Sequence, residues 1–299
     1  MTEEGKISFG EYETYYRIVG KEYKKTPLLL IHGGPGSTHN SFEVIDDFAF
    51  YDKRPVIMYD QIGCGLSSIP DDHPELYCKE VWTKELMNLR EKLNLKEVHL
   101  DGHSWGGMLT IIYMCDAKPK GVKSVTLSST LSSVRLWDKE THRLLKYLPE
   151  DEQEILKDAE KRRDFSSKEA QEAITHYMKM TVGNYSKKSK YTPECLKRTK
   201  LGGKVCYNVA WGPSEFRPDG NLKDYEYTSK LKSIKCPTLL ISGGNDESTP
   251  YQNKVMYEAL RCKKKWVLLP SSRHMTYFEK KRSYEKALKD FLDKADEER

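Results

Sequence analysis

Residues 98–115 read VHLDGHSWGGMLTIIYMC, and the order of residue types in them decides the fold. A short apolar run, VHL at 98–100, gives way to Gly102-His103-Ser104-Trp105-Gly106. Beyond it Met108, Ile111, Ile112 and Cys115 recur at the i, i+3, i+4, i+7 spacing of one helix face. A strand, a glycine-flanked serine and a helix make a sharp turn. A Cβ at either flanking glycine would clash there, and the turn lifts the Ser104 hydroxyl clear at the helix N-terminus.

The segments around this turn repeat its pattern. PLLLI (27–31), PVIMY (55–59), VKSVTL (122–127), PTLLI (237–241) and WVLL (266–269) are continuous apolar runs, which suit strands buried on both faces of a parallel sheet. Helical periodicity lies between them and closes the chain with Tyr284, Ala287, Leu288 and Phe291. The first stretch, KISFGEYETYYRIVG, alternates instead and reads as a hairpin of half-buried strands. The expectation is an α/β fold, a doubly wound, mostly parallel sheet flanked by helices. The alternation stops after Leu127. From 131 to 218 the chain is charged and helical in pattern, with Leu145, Tyr147, Ile155, Ile174, Tyr177 and Met178 available for packing. This predicts a core of 1–130 and 219–299 carrying an inserted helical cap, 131–218.

Composition narrows the function. A net charge of +5 over 299 residues comes from scattered lysines, so no nucleic-acid partner is expected. No apolar stretch approaches a membrane span, and MTEEGKISFG lacks the apolar centre of a signal peptide. The seven cysteines are odd in number and form no CxxC or Cys/His cluster, which reads as free thiols in the cytoplasm.

A serine hydroxyl needs a base, and the base an orienting acid. On this scaffold they follow in the order serine, acid, histidine. His274, in LLPSSRHMTYFE, follows the last strand run and precedes the last helix, where the base belongs. His32, His99 and His103 lie upstream, in the wrong order. Asp246 follows PTLLISGG at a strand C-terminal end and is the expected orienting acid. An oxyanion wants two N–H donors. One is expected from Trp105. The other is expected from Gly34 in HGGPG (32–36), whose glycines let a ligand approach the backbone and whose Gly33 is counted with the substrate-binding residues.

HGGPG at 32–36, YDQIGCGLSS at 59–68, GHSWGG at 102–107 and GGNDESTP at 243–250 together resemble the prolyl aminopeptidase (proline iminopeptidase) family of α/β-hydrolases, with the tricorn-interacting aminopeptidase branch as the nearest likeness. The resemblance runs over nearly the whole chain. It implies an α/β-hydrolase fold and removal of single residues, often proline, from the free N-termini of short peptides. It implies no metal, no cofactor and, at family level, a link to a larger protease. It also implies a use for two further acids. Glu247 directly follows the triad aspartate, and WGPSEF, similar to a GPNEF cap motif, supplies Glu215. Together they would clamp a protonated α-amine.

The triad alone would equally serve an amino-acid amidase or an esterase, and the same scaffold hosts non-catalytic binding proteins. Asp101, before the elbow glycine, has no functional account; strand alternation points it away from Ser104, toward local hydrogen bonds.

Overall fold

A computed structural model of the chain describes residues 1–297. Eight strands form one sheet: β1 (Thr2–Phe9), β2 (Tyr12–Val19), β3 (Leu28–Ile31), β4 (Val56–Tyr59), β5 (Val98–His103), β6 (Val122–Ser128), β7 (Thr238–Gly243) and β8 (Lys264–Leu269). Their order is β1-β2-β4-β3-β5-β6-β7-β8. The β1–β2 hairpin is antiparallel and joins β4 antiparallel; every other pair is parallel. The hairpin and all six apolar runs are thus strands, within a residue or two of the expected ends at most boundaries.

The apolar runs are buried because both faces of the sheet are covered. Successive side chains point to opposite faces. Leu29, Ile31, Ile57 and Tyr59 pack with Trp82, Leu86, Leu109 and Met256 from helices Lys79–Lys92, Trp105–Ile112 and Pro250–Ala259. Their neighbours Leu28, Leu30, Val56 and Met58 pack with Phe48, Leu288 and Leu292 from helices Phe48–Asp52 and Lys281–Glu297. Leu288 is fully buried, a position at which a leucine contributes about 2 kcal/mol. Residues 284, 287, 288 and 291 lie on one helix, as their spacing predicts.

Between β6 and β7 the chain runs through helices Val134–Leu145, Glu150–Arg162, Lys168–Thr181, Glu194–Lys197 and Lys204–Ala210. Ser133 and Ser167 cap the first and third, accepting from Leu136 N at 3.1 Å and Ala170 N at 3.2 Å. These helices have a core of their own, in which Leu145, Leu156, Ala173 and Tyr177 meet Phe216. Tyr147 is the exception among the expected packing residues, with 60% of its surface exposed. Among the described residues no helix is long and apolar enough to cross a membrane, and all seven cysteines are free.

Candidate active site

Ser104 sits between the end of β5 and the helix Trp105–Ile112 with φ 56° and ψ −123°, a backbone conformation that a serine rarely adopts. Close packing imposes it. A Cβ on Gly102 would come 2.3 Å from the Gly106 carbonyl oxygen, and one on Gly106 would come 1.9 Å from that of Ile31. The turn is tied to β6 and the segment after it. Ser104 N donates to Ser128 O at 2.9 Å, and Thr130 Oγ1 donates to Ser104 O at 2.6 Å.

His274 lies in the loop between β8 and the helix Thr276–Glu279, and Asp246 in the loop after β7. Their side chains meet, with His274 Nδ1 2.7 Å from Asp246 Oδ1. Ser248 N donates to the same oxygen at 2.8 Å and holds the carboxylate in place. The histidine loop is fastened from two sides. His274 N donates to Thr181 O at 3.0 Å, and His103 Nε2 lies 3.0 Å from His274 O. Burial on its own would lower the His274 pKa. The charge and hydrogen bond of Asp246, then the charges of Glu247 and Glu215, raise it to about 9.

Ser104 and His274 face one cavity of about 470 Å³, which Gly33, Gly34, Glu215 and Glu247 also line. Asp246 and Trp105 are not on its wall; both are buried behind it. A Cβ on Gly33 would reach within 2.9 Å of Ser104 Cβ, so only glycine leaves the loop this close to the serine. The amides of Gly34 and Trp105 donate to no other backbone group among the described residues. Gln61 braces this corner: its Nε2 donates to His32 O at 3.0 Å and its Oε1 accepts from the Trp105 indole at 2.7 Å.

Glu247 is buried and its Oε2 has no hydrogen-bond partner. Its Oε1 lies 3.8 Å from His274 Nε2. Glu215 lies in a turn ahead of Phe216 rather than at a helix end, and its Oε1 accepts from Tyr207 OH at 2.6 Å. Burial raises both carboxyl pKa values, Glu247 well above the ordinary range, with Glu215's charge adding to the effect at Glu247. A buried acid with an unpaired oxygen, beside a second, half-buried acid on the same cavity wall, forms a place for a cation. Among the described residues no group of three or more His, Cys, Asp or Glu side chains is set to hold a metal ion.

Four supporting residues have no role that the sequence pattern assigns. His103, upstream of the serine in chain order, holds the His274 loop through its ring. Gln61 and Thr130 are polar side chains whose partners are distant in sequence, and Tyr207 bonds Glu215, eight residues on. Asp101 departs from the local bonding expected of it. Ser128 Oγ donates to its Oδ1 at 2.8 Å and Tyr284 OH to its Oδ2 at 2.6 Å, so it ties β5 to β6 and to the C-terminal helix.

Residues 26–281 match the family model described as alpha/beta hydrolase fold. The chain is 54% identical over 293 residues to a proline iminopeptidase of Lactobacillus crispatus, covering 98% of this chain and 99% of that one. It is 48% identical over 287 residues to a proline iminopeptidase of Lactobacillus delbrueckii subsp. lactis, covering 96% of each. Among solved structures, the proline iminopeptidase of Mycobacterium smegmatis superposes with a TM-score of 0.86 at 26% identity, over 98% of this chain and 99% of that one. The protein VinJ superposes with a TM-score of 0.88 at 27% identity, over the same shares.

Proposed function

The chain belongs to the proline iminopeptidase family of α/β hydrolases, and from that premise we propose that it is a serine aminopeptidase releasing single N-terminal residues, proline foremost and other mainly apolar residues with it, from short peptides. The proposal is made at the level of the family and not of its tricorn-interacting branch. The observation that carries it is the pair Glu215 and Glu247 on the wall of the same cavity as Ser104 and His274. An esterase or amidase has no need of two acids on the cavity wall beside its base. A peptide with a free N-terminus brings a cation for them, and an N-terminal proline brings an ammonium with two N–H donors, one for each carboxylate.

The steps follow from these roles. Substrate enters beneath the helical segment 131–218, which we take as the cap. Glu215 and Glu247 hold the α-amine, which sets the first carbonyl against Ser104. Ser104 Oγ bonds to the carbonyl carbon while its proton passes to His274 Nε2, and Asp246 steadies the imidazolium through Nδ1. The N–H groups of Gly34 and Trp105 receive the oxyanion. His274 then protonates the departing peptide nitrogen as the C–N bond breaks, leaving an acyl-serine. Water, deprotonated by His274, adds to the acyl carbon; the ester C–O bond to Ser104 breaks, His274 returns the proton to Ser104 Oγ, and the amino acid leaves. A cytoplasmic setting belongs to the same proposal and is supported by the seven free thiols.

The test is hydrolysis of fluorogenic prolyl, alanyl and leucyl amides, each beside its N-acetyl version. Cleavage of the free-amine series alone is expected. Equal cleavage of the acetylated series would remove the clamp and leave a general amidase or esterase.

A further inference from the structure

The cavity that holds Glu215 and Glu247 also carries positive charge. Lys187, Lys200 and Lys204 line it, and none of the three has a carboxylate partner among the described residues. Arg198, also on the wall, does have one, in Glu43. Lys200 Nζ donates to Ser37 Oγ at 3.1 Å, a neutral hydroxyl one residue beyond the glycine loop that carries Gly34. Lys187 Nζ reaches only the Arg198 carbonyl, at 3.4 Å. Although the Lys200 residue is exposed overall, the protein around its ammonium holds the pKa below the ordinary lysine value, burial being the largest cause.

The backbone bearing Lys200 and Lys204 is fastened. Gly65 N donates to Leu201 O at 2.8 Å and Gly203 N to Gly63 O at 2.9 Å. A Cβ on Gly203 would stand 2.1 Å from Gly36 O, so the segment lies directly on the glycine loop. Lys200 and Lys204 therefore hold a set position relative to Gly34, instead of swinging on a free loop. One cavity thus presents acids beside the serine and unpaired ammonium groups along the loop that carries Gly34. A short peptide has the same two charges, an α-ammonium at one end and an α-carboxylate two or three residues away, about 7–10 Å when extended.

We propose that Lys200 and Lys204 form an anion subsite that takes the C-terminal α-carboxylate of di- and tripeptides on the leaving-group side of Ser104. This rests on the aminopeptidase reading, and it makes the enzyme a selector of peptide length as well as of the first residue. Each added residue carries the carboxylate farther from the amine clamp, so longer chains lose the contact.

Binding is measured by calorimetry on Ser104→Ala, so that no turnover intervenes, with Pro-Gly, Pro-Gly amide and Pro-Glu amide. The free acid is expected to bind about five- to tenfold more tightly than Pro-Gly amide. Lys200→Met and Lys204→Met, each added to Ser104→Ala, are expected to narrow that gap, and both together to close it. Equal affinity for acid and amide would overturn the subsite, as would a gap that survives both substitutions. Pro-Glu amide binding as tightly as Pro-Gly would replace the α-carboxylate with an acidic side chain and overturn the assignment. Failure of the aminopeptidase reading shows separately, as wild-type protein that leaves prolyl arylamide uncut.

Discussion

His274 stands between two acids: its Nδ1 is 2.7 Å from Asp246 Oδ1, and its Nε2 is 3.8 Å from Glu247 Oε1. In the proposed mechanism Nε2 is the nitrogen that must be empty to take the proton of Ser104. In the substrate-free protein, Asp246, then Glu247 and Glu215, hold a proton on the ring against the effect of burial and raise its pKa to about 9. A substrate ammonium bound between Glu215 and Glu247 cancels part of that field. In the proposed mechanism the arriving amine would both position the carbonyl and free the base, and a neutral N-terminus would do neither.

The pH dependence follows. A base works only when deprotonated, and kcat/KM reports the free protein. Its acid limb should lie above that of kcat, which reports the amine-bound complex. In Glu247→Gln one carboxylate no longer favours the imidazolium, so the kcat/KM acid limb should move down by about one pH unit. The substrate amine titrates identically in both proteins and cancels in the comparison. pH–rate profiles on prolyl arylamide decide it; coincident acid limbs would show that Glu247 does not control the base.

Tyr207 bears on the other acid. Its hydroxyl donates to Glu215 Oε1 at 2.6 Å and opposes the rise that burial causes in the Glu215 pKa. Tyr207→Phe should raise the Glu215 pKa further and weaken the hold on the ammonium proposed for it. KM for free-amine substrates should rise about three- to tenfold, with kcat changed less. Steady-state kinetics on prolyl arylamide at pH 7 make the comparison, and an unaltered KM would mean that Glu215 does not depend on this bond.

The elbow gives a stability prediction. Gly106→Ala places a methyl group where Ile31 O already lies, 1.9 Å away, and backbone cannot rotate aside as a side chain can. The loss should be at least about 3 kcal/mol in urea unfolding. Gly183→Ala is the control: the nearest atom, Met275 Sδ, is 3.5 Å from the added Cβ, and the change should stay within about 0.5 kcal/mol. Equal stability of the two variants would mean that the helix can slide off β3.

The elements differ in how far they could be read from sequence. PLLLI, PVIMY and PTLLI announce strands because both their faces are buried, so no polar residue interrupts them. Ser104 and His274 are legible because the chain order on such a sheet sets which loops reach the same edge. Glu215 and Glu247 came from likeness alone, since an acid in a loop has no period or spacing to mark it. His103 and Gln61 lie inside GHSWGG and YDQIGCGLSS, yet the motifs do not show what either side chain does. They act through bonds to His274 O and the Trp105 indole, contacts that exist only once loops distant in sequence have met. Tyr147 shows the opposite failure: an aromatic on an apolar face reads as core but stands in solvent.

Asp101 is the furthest case, joined to Tyr284 across 183 residues, and its burial makes a pH prediction of its own. The carboxyl is fully buried. Burial raises its pKa from 3.8 to about 6, while hydrogen bonds from Tyr284 and Ser128 offset part of the rise. The folded state therefore binds this proton more tightly than the unfolded chain does. Stability falls as pH climbs through the interval between the two values, and the loss persists above it. The whole interval corresponds to about 3 kcal/mol, of which about 2 kcal/mol falls between pH 4.5 and 8. Asp101→Asn has no charge to bury and still offers an oxygen to Tyr284, so its stability should lack this decline. Every other titrating group is shared by the two proteins and cancels. Urea unfolding at both pH values should show wild type losing about 2 kcal/mol more than Asp101→Asn on going to the higher pH. Parallel pH dependences would mean that Asp101 is already ionised throughout this range in the folded protein, its two hydrogen bonds outweighing its burial.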